Sequence, residues 1–129
     1  ALLQDHRYRE HGEQVLRAFA GSAPHLGTAA GAYLAAAAWV AEPVTTVVVV
    51  AGRDAAGEAL WRAALSTYRP RAVLRRWEPG AVRAEELPPE VRGMLGAEVP
   101  RAYVCVGTSC AAPVGEPEGL VELLRAFRG

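Results

Sequence analysis

The sequence predicts an α/β fold: a small three-stranded parallel sheet, order 2-1-3, flanked by helices and preceded by a helical hairpin. Three observations carry this expectation. Residues 1–42 hold apolar positions at helical spacing. From Pro43 onward, β-branched or alternating apolar runs take turns with amphipathic stretches, the pattern that builds right-handed crossovers onto a parallel sheet. The chain has 129 residues, 51% of them apolar, enough for one core and little more. The organisation follows: 1–42 is the helical hairpin and 43–129 a small α/β module.

The elements are justified in chain order. "ALLQDHRYRE" reads as a helix already in progress, with no signal peptide. Tyr8, Gly12, Val15, Leu16 and Phe19 share one face of it, ringed by Arg7, Arg9, Glu10, Glu13 and Arg17. "AGSAP" breaks that helix, and Ser22 before Pro24 offers a start for the next. The second helix, about Pro24 to Ala41, is apolar nearly all round and demands cover on several sides. Its small residues permit close backbone approach. Two helices alone cannot cover it.

After Pro43 the period changes. "VTTVVVVAG", Val44 to Gly52, is a β-branched run bounded by Pro and Gly, the mark of a strand buried on both faces. "RDAAGEALWRAALSTYRP" follows as a helix with Asp54 as N-cap and Leu60, Ala64, Leu65 and Tyr68 as its inward stripe. "AVLRRWE" is a second strand whose paired arginines suit a sheet edge. "PPEVRGMLG" forms a short helix and "RAYVCVG" a third strand. "EPEGLVELLRAFRG" closes the chain as a helix, with Pro117 in its first turn and Leu120, Leu123, Leu124 and Phe127 inward.

The first strand is the most apolar and takes the centre, which gives the order 2-1-3. A parallel sheet of that order opens a crevice beyond the carboxyl ends of strands 1 and 3. The turns 52–57 and 107–113 would then be neighbours, making Gly52, Asp54, Gly107, Thr108 and Ser109 candidates for holding a small ligand. "GRDAAG" lacks the Lys-Ser/Thr of a phosphate loop and the G-x-G-x-x-G of a dinucleotide fold. A tight turn and an Asp cap explain it. "GTS" at 107–109 offers backbone N–H groups and hydroxyls to an anion.

Acidic and basic residues cancel at 14 each, so no basic excess exists to neutralise a nucleic-acid backbone. All 14 basic residues are Arg. "LGTAAGAYLAAAAWVA" is the one membrane candidate, and it is shorter than the roughly 20 strongly apolar residues that spanning requires. The expected location is cytoplasmic, with no membrane and no nucleic-acid partner.

The two cysteines, Cys105 and Cys110, are too few for a secreted disulfide framework. Their C-x4-C spacing is not that of thiol oxidoreductases, and no further Cys or suitably placed His completes a zinc set. Cysteine is commonly buried as a small hydrophobe, which suits Cys105 between Val104 and Val106. The other reading is a redox pair, for which a disulfide requires the loop to curl back until the Cα atoms lie within about 7 Å. His6, His11 and His25 form no i, i+4 pair to grip a metal. Glu85-Glu86 and the Glu116, Glu118 pair read as solvated or helix-start acids. No metal, cofactor or catalytic residue is expected.

Two stretches resemble a known family. "DHRYREHGEQVLRAFAG" looks like the Y-R-x-x-A-x-x-x-L helix in the last hairpins of six-hairpin α-toroid proteins, with Gly12 standing where that pattern has Ala. "AYVCVGTSCAAPVGEPEGLVELL" is similar to the closing segment of the thioredoxin-domain-containing family related to spermatogenesis-associated proteins. The matching positions are Cys105, Cys110, Pro113, Val114 and Leu120. "VVVVAGRDAAGEALWRAAL" with "YRPRAVL" fits that family's strand-helix-strand. The resemblance implies a thioredoxin-like domain and an (α/α)6 barrel elsewhere in the parent protein, with this chain as the last hairpin and the C-terminal α/β module. Its partners would be those domains, or a second copy of the fragment when they are missing.

Three functions follow as expectations. The first is a non-catalytic structural and interaction module. The second is a thiol-redox module using Cys105 and Cys110. The third is a small-ligand binder at the strand 1/strand 3 crevice.

Overall fold

A computed structural model of the chain describes residues 6–81, 92–93 and 98–127. It divides into two compact units, Ala1–Val44 and Thr45–Gly129.

The first unit holds α1 (His6–Phe19) and α2 (Ala30–Ala41), joined by two 3-10 segments at Ala20–His25 and Gly27–Ala29. The α-helix thus begins six residues after Pro24, and no side chain caps it: Ser22 is not the start that the sequence suggested. Glu13 accepts from Arg9 and Arg17, each one turn away and at 3.1 Å. Arg9 also donates to the Val40 carbonyl at 3.2 Å, and the Tyr33 hydroxyl to that of Leu16 at 3.1 Å. Those two bonds tie α1 to α2. They do not make a core: no described residue of this unit is buried.

The second unit is a mixed α/β sheet. Its strands are β1 (Thr45–Val50), β2 (Ala72–Trp77), β3 (Arg101–Val106) and β4 (Ser109–Cys110), in the order β2-β1-β3-β4. The valine run is central, as its β-branched, doubly buried pattern requires, and the strand with paired arginines lies at the edge. Two expectations are corrected. Among the described residues the sheet has four strands, and only β1 and β2 are parallel; β3 runs antiparallel to β1, Thr45 facing Val106 and Val50 facing Arg101. The expected helix 88–96 lies largely outside the described residues, as do Glu85 and Glu86.

Helices α3 (Ala55–Ser66) and α4 (Pro117–Ala126) pack on one face of the sheet. Leu60, Ala63 and Ala64 of α3 and Leu120 and Leu124 of α4 close over Val47, Val49, Ala51, Ala102 and Val104. Leu123 and Phe127 join the margin of this cluster. Leu65 and Tyr68 do not belong to it; they are exposed, at 59% and 89%. Leu65 is five residues from Leu60, about 140° round the helix, and Tyr68 lies beyond the helix end.

Candidate functional site

The hairpin of β3 and β4 holds both cysteines. Ala102, Val104 and Val106 are buried, so the alternation of a strand places Arg101, Tyr103 and Cys105 on the opposite face. Gly107 then takes φ +59°, the left-handed geometry that a two-residue hairpin turn places on its first central residue. With Thr108 it returns the chain so that Ser109 faces Val106 and Cys110 faces Cys105.

The next pair outward is hydrogen-bonded, Ala111 N–H donating to the Val104 carbonyl at 3.0 Å. Cys105 and Cys110 therefore occupy a non-hydrogen-bonded position, where opposed side chains come closest. Their Cα atoms are 4.0 Å apart, and a disulfide of 2.01 Å joins the sulfurs. The plainer sequence reading, two small buried thiols, gives way to an oxidised pair. Cys110 is exposed and Cys105 only half-buried.

Beyond the disulfide the returning strand loses register. Val114 pairs with Ala102 through two hydrogen bonds, of 2.7 and 3.1 Å. Cys105 and Ala102 are three positions apart, whereas Cys110 and Val114 are four apart, so one extra residue bulges from the outer strand. Pro113 lies in that bulge and has no N–H to offer the ladder. The sequence did not announce β4. Its one available signal was the Gly107-Thr108 dipeptide set between Val106 and Ser109, a two-residue link that reads as a loop until the return strand is seen.

The glycine turn after β1 is a brace. Asp54 accepts from the Gly57 N–H at 2.7 Å and caps α3 as expected. A Cβ on Gly57 would lie 2.3 Å from the Gly52 carbonyl oxygen, so that position admits glycine alone. Arg76, from the edge strand, donates to Glu58 at 2.7 Å and to the Gly52 carbonyl. Arg53 pairs with Glu78 at 2.7 Å across the same rim. The polar groups of the turn are thus engaged with one another.

The antiparallel pairing separates the crevice candidates. Gly52 and Asp54 follow Val50, at the end of the sheet where β3 begins; Gly107, Thr108 and Ser109 follow Val106, at the opposite end beside Thr45. No strand 1/strand 3 crevice of the expected kind exists, because a crevice at carboxyl ends needs those ends on one rim. A groove of about 610 Å³ does lie between the first turns of α3 and α4 and the lead-in to β3. None of the five candidates lines it, and its charged residues, Glu98, Arg101, Glu116 and Glu118, are of mixed sign. Arg101 is already bound to Glu98 at 3.1 Å.

Among the described residues, no group of three or more His, Cys, Asp or Glu could hold a metal ion. Nor, among them, is any helix long and apolar enough to cross a membrane. No family model matches the chain, and no curated protein matches it.

Proposed function

We propose that the chain is a structural and interaction module of a larger cytoplasmic protein, non-catalytic in itself, in which α1 and α2 dock against further helices. One observation supports this reading above the others. Helix α2, "AGAYLAAAAWVA", carries no charged residue, yet Leu34 and Trp39 are 62% and 45% exposed. Tyr8, Val15 and Phe19 of α1 are exposed as well. Burying a large apolar side chain is worth about 1.5–3 kcal/mol, so a hairpin that leaves five in water gains most from a partner. The similarity to the C-terminal region of thioredoxin-domain-containing proteins related to spermatogenesis-associated proteins supplies one: the last turn of an α-toroid, whose neighbouring hairpins would cover α2. The zero net charge speaks against a nucleic acid as the partner.

The test is the behaviour of the chain without those helices. A second copy should then take their place, and sedimentation equilibrium should show dimers that weaken when Leu34→Glu or Trp39→Glu is introduced. A wild-type chain that stays monomeric over the whole concentration series, with both helices intact by amide exchange, would show that the face needs no partner and would defeat the reading.

A further inference from the structure

We propose that the Cys105–Cys110 disulfide is a thiol-exchange site, attacked at the Cys110 sulfur by a protein or small-molecule dithiol, and that its reduction frees β4 from the edge of β3. Three features of the hairpin converge on this, none of which depends on the docking role of α1 and α2.

The first is access. Cys110 is exposed on the outermost strand, whereas Cys105 is half-buried within β3 and flanked by β1, where Thr46 is its register partner. An incoming thiolate must approach in line with the S–S bond, and the attacked sulfur is the one that can be reached from solvent. That is Cys110, and Cys105 is the leaving group.

The second is position. Ala102 and Val104 turn their side chains to the core, and the cysteines lie on the other face, outside the cluster of Val47, Val49, Leu60, Leu120 and Leu124. Cleaving the bond removes no contact from that cluster. The third is what the bond holds. Strand β4 is two residues long, keeps register only as far as the bond from Ala111 N–H to the Val104 carbonyl, and after a bulge meets β3 again at the bridge of Val114 to Ala102. A pairing so short is marginal without a cross-link. The disulfide is the covalent link across it, beside those few hydrogen bonds.

The exchange balances as follows. The reductant's thiolate bonds to Cys110 Sγ, the S–S bond breaks, and Cys105 leaves as a thiolate that takes a proton from water. The reductant's second thiol then attacks the mixed disulfide, Cys110 departs as the second thiol, and the reductant becomes a disulfide. Two electrons and two protons pass to the chain.

Glutathione, a monothiol that has no second thiol of its own to resolve the mixed disulfide, lets that intermediate be trapped and so tests the direction of attack. The oxidised chain is treated with reduced glutathione, quenched in acid, alkylated and mapped by peptide mass. Adduct on Cys110 should exceed that on Cys105 by on the order of tenfold. Equal labelling, an excess on Cys105, or a native chain that neither glutathione nor dithiothreitol attacks would overturn the proposal. Hydrogen exchange before and after dithiothreitol tests the release. The Ala111 and Val114 amides should lose protection while those of Val47 to Val50 keep theirs; loss across β1, or none at Ala111, would overturn it.

Discussion

Arg69 donates through Nη1 to the carbonyl of Leu124 at 2.5 Å, fastening the loop after α3 to the last turn of α4. The same guanidinium reaches the Phe127 carbonyl at 2.5 Å and the Thr45 hydroxyl at 2.9 Å. The last carbonyls of a helix have no partners within it, and a cation there also meets the negative end of the helix dipole. One side chain thus joins the start of β1, the exit of α3 and the end of α4. Arg69→Ala should cost about 2–3 kcal/mol, the range for losing charge-assisted hydrogen bonds in a half-buried setting. Arg69→Lys should recover only part, since one ammonium cannot serve the three acceptors in a planar fork. Urea denaturation of the full chain measures both, and an alanine variant as stable as wild type would refute the role.

Gly57 sets the approach of α3 to β1. Any Cβ there meets the Gly52 carbonyl at 2.3 Å and Ala51 Cβ at 3.0 Å, and both neighbours are held in place, Ala51 by its N–H bond to the Trp77 carbonyl and Gly52 by Arg76. Gly57→Ala normally favours a helix by about 1 kcal/mol. Here it should instead destabilise by about 2–3 kcal/mol, because backbone must shift to admit the methyl. Gly31, in α2, has nothing within 4 Å of its Cβ position and serves as the control: Gly31→Ala should be neutral or stabilising. The two opposite signs, read from urea midpoints, are the test.

Asp54 supplies a cap and nothing else that the geometry reveals. Its carboxylate accepts from the Gly57 N–H at 2.7 Å. Asp54→Ala should therefore cost about 1 kcal/mol and Asp54→Asn much less, because an amide oxygen accepts the same bond. If the asparagine variant were as damaged as the alanine one, the charge itself would be doing something beyond capping.

The same turn shows what kind of information the sequence carries. Asp54, the Val47–Val50 run and the Leu120/Leu124 stripe are readable because each depends on chemistry local to a few residues: a cap, a β-branched run between Pro43 and Gly52, a helical repeat. The direction of β3 is not local. "RAYVCV" alternates identically read either way, and its orientation relative to β1 is set by how the chain travels between Trp77 and Arg101. Nothing within the strand encodes that path. The candidate site inherited the error, since a reversed β3 carries Gly107 to Ser109 to the far rim from Gly52 and Asp54. The disulfide was legible only as a condition on Cα distance, and the condition is met because Gly107 and Thr108 turn the chain within two residues.

Closing a ring between cysteines five positions apart removes little chain entropy, and the loop-closure relation gives about 2 kcal/mol. The Cys105→Ser/Cys110→Ser double variant should fall short of the oxidised wild type by about that amount and match the reduced wild type closely. Because the bond lies outside the cluster beneath α3 and α4 and closes only a short ring, the urea dependence of unfolding should keep its slope, which reports the surface exposed. A steeper loss, or a changed slope, would mean that the cross-link supports the sheet as a whole. The expected small and local effect is what would let the chain pass between the oxidised and reduced states and remain folded.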